Sequence, residues 1–405
     1  MRILITTLLT FILFSSSIGQ TAEEYYNKGV AKVNLQDYRG AITDYTKAIE
    51  LKPDNPVPYY GRGYAKAALQ DYRGAIADFT KAIELKPDYA FAFYNRGHSK
   101  AALQDYSGAI ADYNKAIELK PDISDAFLKR GYSKAALQDH RGAIADYTKA
   151  IELKPDNPVA FNNRGYSKAA LQDHRGAIAD YTKAIELKPD YPDTFFKRGN
   201  SKAALQDNQG AIADYTRAIE LKPDYPFAFY NRGYSKAALQ DHRGAIADFT
   251  KAIEYNPDNP DIFFNRGYSK AAIQDNIGAI ADYSKAIELK PVNSDAFYYR
   301  GVSKADLQDY RGAIADYTKA IELKPDYPFA HYNRGASKTD LQDYTGAIAD
   351  FTKAIELKPD DPDAFYNRGL CKLKLGQKDS GCLDFSKAAE LGDQEAAAAK
   401  REFCK

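Results

Sequence analysis

Residues 56–89, PVPYYGRGYAKAALQDYRGAIADFTKAIELKPDY, contain one complete structural unit of this chain. Tyr59, Gly63, Ala67 and Leu69 form one helical stripe, and Ala75, Ile76, Phe79, Ala82, Ile83 and Leu85 form a second at three-to-four spacing. Gln70 to Tyr72 is the turn between them, and Asp71 is placed to cap the second helix. Pro87 ends that helix, because proline lacks an N–H and disfavours helix in the residue before it. The unit is therefore an antiparallel helical hairpin. Gly63 costs its helix about 1 kcal/mol relative to alanine, so its use requires a compensating gain. Close approach of the second helix at Ala75, Phe79 and Ala82 is that gain.

The glycine recurs every 34 residues with no insertion or deletion, at Gly29, Gly63, Gly97, Gly131, Gly165, Gly199, Gly233, Gly267, Gly301, Gly335 and Gly369. A fixed period of this length marks stacked supersecondary units, each completed by its neighbours. Eleven units span 22–395 and leave no segment for a separate catalytic domain, so function is expected on a surface. The expected fold is an all-α solenoid.

These anchors resemble the tetratricopeptide repeat family, whose signature sets an aromatic, Leu-Gly, Tyr, Ala, Phe and Pro at fixed offsets. Here the aromatic is Tyr59 or its counterparts Phe93, Phe127 and Phe161, and the Ala, ring and Pro are Ala75, Phe79 and Pro87. The resemblance implies a right-handed superhelical solenoid of eleven helix-turn-helix repeats with a C-terminal capping helix over 395–405. Two positions depart from the signature. Arg62 and its counterparts, with Lys28 in the first repeat, replace Leu before the glycine, and lysine stands three after it from Lys32 to Lys372. These cations lie four apart on one helix face. They form either a cationic stripe for phosphate or acidic polymer, or an ion-pair network. The equally regular aspartates, Asp44, Asp78, Asp112 and onward to Asp384, favour the network.

The resemblance also implies that first-helix residues two, three and six before the glycine, and one, four and five after it, face a concave groove. Two before it stand Asn95, Asn163, Asn231, Asn265, Asn333 and Asn367, with Gly61, Lys129, Lys197 and Tyr299 as interruptions. Amides offer donor and acceptor to an extended peptide backbone. Three before it stand Tyr94, Tyr230, Phe264, Tyr298 and Tyr332, and one after it Tyr132, Tyr166, Tyr234 and Tyr268. Such rings give contact area with a polar tip. The expected function is a non-catalytic scaffold for protein or peptide partners, with carbohydrate or cell-wall glycan as the second reading. His140, His174 and His242 hold one turn position in separate repeats, and helices ~8–10 Å apart cannot bring them to one metal. No nucleophile elbow or phosphate loop is present, so no catalytic residue, cofactor or metal is expected.

Arg2, the apolar run Ile3 to Phe14 and the small residues Ser15 to Gly19 read as a signal peptide over 1–19. The run is shorter than the ~20 residues of a membrane span. Without those residues the chain has 55 basic residues, one fewer than the 56 of the full sequence, against 55 acidic ones. That balance argues against nucleic acid as partner. The chain is expected to be exported, to the periplasm, the envelope or the medium, with no membrane span after cleavage. Cys371, Cys382 and Cys404 lie close to one another in the sequence and suggest one local disulfide and one spare thiol. The expected bridge joins Cys382 to Cys404 across the last repeat and the cap, with Cys371 buried where other repeats have alanine or serine.

Overall fold

The computed structural model describes residues 21–404, so the expected signal peptide lies outside the described residues. Among these, the chain forms 23 helices and no strand. A first helix of 13 residues, such as Pro56–Ala68, turns into a second of 14, such as Tyr72–Leu85. Second helices then pack on the first helix of the following hairpin, as Tyr72–Leu85 does on Ala90–Ala102 and His242–Tyr255 on Pro260–Ala272. The helices group into two compact units, one ending at Ser201 and the other beginning at Lys202.

Three residues make each inter-helix turn, Leu-Gln-Asp in all repeats but two, where they are Ile273-Gln274-Asp275 and Leu375-Gly376-Gln377. In the second hairpin Leu69 is the C-cap, Gln70 has φ of 65°, and the amides of Gln70 and Asp71 donate to Ala67 O and Lys66 O. This is a Schellman closure with glutamine at the position that glycine favours. Asp71 then caps the next helix, its Oδ1 accepting from the Gly74 amide at 2.9 Å. Ten glutamines from Gln36 to Gln342 share the left-handed backbone, and in the last repeat Gly376 takes their place with φ of 74°.

The core of a hairpin is small residues around one ring. Ala75, Phe79 and Ala82 are fully buried, and a Cβ on Gly63 would lie 2.9 Å from the Phe79 ring. The first-helix stripe differs from the expectation: Pro58, Gly63 and Ala65 are buried, whereas Leu69 is 43% exposed. The helix stops at Ala68, so Leu69 leaves its rotation.

The cations before and after the glycine converge on the second-helix aspartate. Arg62 donates through Nε and Nη2 to the two oxygens of Asp78 at 2.9 and 2.7 Å, and Lys66 Nζ lies 2.8 Å from Oδ2. Nη1 of Arg62 reaches the Thr46 hydroxyl of the preceding repeat at 3.1 Å, and the guanidinium lies over the Tyr59 ring, 5.7 Å from its centroid. Where threonine changes, the bond persists, from Arg130 to Asn114 and from Arg300 to Ser284. Burial opposes ionisation of Asp350, yet the nearby His331 ring and close contacts from Arg334 and Lys338 hold its carboxyl well below the usual range. A depressed folded pKa means that this stabilisation is complete above the ordinary carboxylate range and is lost as pH falls through the folded value.

The helix Gln394–Phe403 closes the C-terminal end, burying Ala396 beside Phe365 and Ala388. A disulfide joins Cys382 to Cys404, while Cys371 is buried and free.

Two measurements test this account. Asp248→Ala leaves Arg232 and Lys236 without their carboxylate and is expected to lower unfolding free energy by about 3 kcal/mol, whereas replacing all three by leucine or methionine costs much less. Gln104, Gln138 and Gln172 changed to glycine are each expected to raise stability by about 0.5 kcal/mol, read as a shift of the urea midpoint at constant slope.

Candidate functional site

The two aromatic rows of the first helices differ in what they touch. Tyr132, Tyr166, Tyr234 and Tyr268, one residue after the glycine, are 53%, 52%, 58% and 45% exposed. The row three before it is half-buried, each ring resting on the second-helix ring of its own repeat. Centroid distances are 5.9 Å for Tyr94 on Tyr113, 5.9 Å for Tyr230 on Phe249 and 5.7 Å for Phe264 on Tyr283. Tyr298 lies 5.9 Å from Tyr317 and Tyr332 lies 5.5 Å from Phe351. Burial, with the Asp125 carboxylate adding to it, pushes the Tyr94 phenol up to about 12.

The asparagines clip one first helix to the next. Nδ2 of Asn95 donates to the Tyr60 hydroxyl at 2.9 Å, and Asn265, Asn333 and Asn367 do the same to Tyr230, Tyr298 and Tyr332 at 3.1, 3.0 and 3.0 Å. The amides of Asn95, Asn265 and Asn367 also donate to the carbonyls of Phe91, Asp261 and Asp363. Their donors are thus committed, and the side-chain carbonyl is what an approaching partner would meet. The pattern changes where Leu128 or Phe196 removes the hydroxyl from the tyrosine row. Asn163 accepts from Asn162 at 3.2 Å, and Asn231 hydrogen-bonds Tyr215 instead.

Two cavities open between first helices, and both adjoin interruptions of the asparagine row. In the first unit, about 370 Å³ is lined by His98, Gln104, Tyr106, Tyr113, Lys129 and Tyr132. Burial, and then the Lys129 charge, hold the His98 imidazole below its ordinary pKa, and the Tyr113 hydroxyl is buried without a partner. In the second unit, about 550 Å³ is bounded by Tyr234, Phe264, Tyr268 and Tyr299, with Asn265, Gln240 and His242 at its edge. Tyr299, Gln240 and His242 were not among the expected site residues; the replacement of asparagine by Tyr299 was the available signal. Among the described residues no group of His, Cys, Asp and Glu could hold a metal, and no helix is long and apolar enough to cross a membrane.

Hairpins of one length, each closed by its own ring-on-glycine contact and stacked second helix on following first helix, define a helical-repeat protein. The chain belongs to the tetratricopeptide repeat family: a TPR repeat model matches residues 29–70, 131–172, 167–206, 199–240, 236–274, 303–338 and 337–376, and two tetratricopeptide repeat models match 90–123 and 58–89. Similar solved structures include YrrB, described as a TPR protein with an unusual peptide-binding site, at 24% identity over 45% of this chain and 95% of that one, TM-score 0.42. Yeast Tom70 is 19% identical over 95% of this chain and 94% of its own, TM-score 0.36. The APC/C hetero-tetramer Cut9-Hcn1 is 13% identical over 100% and 99%, TM-score 0.47. No curated protein is significantly similar to the chain.

The asparagine clip gives a direct test. Asn265→Ala and Tyr230→Phe are each expected to cost about 1 kcal/mol in denaturant unfolding, and the double variant no more than either alone.

Proposed function

We propose that this chain is an exported, non-catalytic scaffold that holds protein or peptide partners against the exposed face of its first helices. As a class, tetratricopeptide repeat proteins are protein-interaction scaffolds, and eleven repeats supply a long surface of this kind. The observation that carries the reading is the exposed row Tyr132, Tyr166, Tyr234 and Tyr268. Every second helix buries its own ring, whereas these first-helix rings stand half out of the core, touching the preceding repeat edge-on at Tyr106, His140 and His242. Tyrosine offers large contact area at a low entropic cost, which suits a binding face. The side-chain carbonyl of Asn265, which lines one cavity with Tyr234 and Tyr268, stands beside that row as an acceptor for a partner's N–H groups. Export is supported by the leader sequence and by the Cys382–Cys404 disulfide, a bond that persists in oxidising compartments.

Fractionation of cells making a C-terminally tagged chain is expected to show a form about 19 residues shorter, outside the cytoplasm. Peptide and glycan arrays probed with that form are expected to retain peptides, and serine at Tyr132, Tyr166, Tyr234 and Tyr268 is expected to weaken retention without lowering the unfolding midpoint. A full-length cytoplasmic product overturns export. Retention of glycans alone overturns the peptide reading in favour of the sugar-stacking one.

A further inference from the structure

Lys197 shows what the space over a first-helix tyrosine accepts. It stands two residues before Gly199, where most repeats have asparagine. Its ammonium lies 5.8 Å from the centroid of Tyr166, the tyrosine one after the glycine of the preceding repeat. Burial lowers the pKa of this ammonium, and the Asp193 carboxylate acts against that shift. A cation over an aromatic face within about 6 Å is held by the ring quadrupole, more strongly as water is excluded.

The same register recurs in the second unit without the lysine. Tyr234 and Tyr268 follow their glycines, but Asn265 and Tyr299 stand where Lys197 stands, and no lysine or arginine lines the cavity between them. Tyr299 meets Phe264 at 5.7 Å and 72° and Tyr268 at 5.8 Å and 87°, so the rings form the walls of a box. Asn265 commits its Nδ2 to Tyr230 and Asp261, which leaves its side-chain oxygen to accept from a cationic N–H. The exposed charge at the groove positions of this unit is acidic. Asp261, Asp295, Asp306, Asp340 and Asp363 are all exposed on the first helices of this unit. At the six groove positions of its last five repeats, the one basic residue is Lys374. The arginines and lysines nearer the glycines are held by their second-helix aspartates.

We infer that this box receives the cationic side chain of a basic peptide, a lysine or arginine, held against its rings as Lys197 is held over Tyr166. The inference rests on the reading of the first-helix face as a peptide-binding surface and adds the chemistry of its partner. The rings supply the cation's contact, and the surrounding aspartates draw a positively charged segment toward it.

The test is fluorescence anisotropy with the mature chain and labelled peptides of alternating lysine and glycine, at physiological ionic strength so that distant aspartates are screened. A second peptide has every lysine acetylated, and a third has glutamate instead. Two variants borrow residues from other repeats, Tyr268→Ala as at Ala336 and Tyr299→Asn as at Asn333, so the fold is preserved and circular dichroism checks it. The lysine peptide is expected to bind, acetylation and either variant are expected to weaken it about ten-fold, and the glutamate peptide is expected not to bind. Equal binding of the lysine and acetyl-lysine peptides, or unchanged binding by both variants, overturns the inference and leaves a neutral-peptide scaffold standing. Failure of all three peptides, with the arrays also empty, overturns both readings.

Discussion

In each repeat the second-helix ring rests on the first-helix glycine. A Cβ at Gly233 would lie 2.9 Å from the Phe249 ring and 3.3 Å from the Ala245 carbonyl, so any larger residue must push the helices apart. That distance sets everything else in the hairpin. It brings Asp248 within bonding distance of Arg232 and Lys236, at 2.7 and 2.8 Å. It also lets the Tyr230 ring lie against Phe249 while its hydroxyl takes the Asn265 amide. The helix propensity lost at glycine is offset by contacts that exist only at this separation.

The ladder of cations is consumed by the fold. The arginine before a glycine bonds both its own repeat's aspartate and a side-chain oxygen of the repeat before, so Arg96 joins Asp112 to Thr80 in one planar fork. Arginine suits this role because its donors diverge in a plane, whereas lysine at the following position adds a single charge to the second carboxylate lobe. A row that resembles a phosphate-binding stripe in one dimension is thus committed in three to internal pairing, two cations to each carboxylate. The surface that remains is aromatic and amide-lined, and in the second unit it is acidic.

The sequence allowed the repeat, the hairpin, the aspartate cap and the proline stop to be read, because each depends on neighbours within one turn or one period. The pairing of arginine with aspartate was legible for a similar reason, since both recur in phase. What escaped was contact between repeats. Asn265 and Tyr230 are 35 residues apart and belong in the sequence to two independent rows, yet one side chain's amide satisfies the other's hydroxyl. Leu69 was assigned to the buried stripe because periodicity does not show where a helix ends, and Gln70 gave no sign of its left-handed backbone because glutamine rarely adopts it. The box around Tyr299 needs three first helices to exist, so one substitution in a row was its whole trace in the sequence.

Near-identity of the repeats carries a hazard: a stack slipped by one unit would bury almost the same surfaces as the correct one. The final hairpin differs from the others. Glycine replaces alanine at Gly381 and glutamine at Gly376, cysteine occupies the buried site of Cys371, and Gln377 gives no side-chain cap where every other repeat has aspartate. The helix behind it is fastened by the only disulfide among the described residues. This hairpin cannot be exchanged for another repeat, so it works as a datum from which the position of its neighbours is counted. In a polymer of interchangeable parts, one covalently marked unit is enough to tell an array in register from a frame-shifted one.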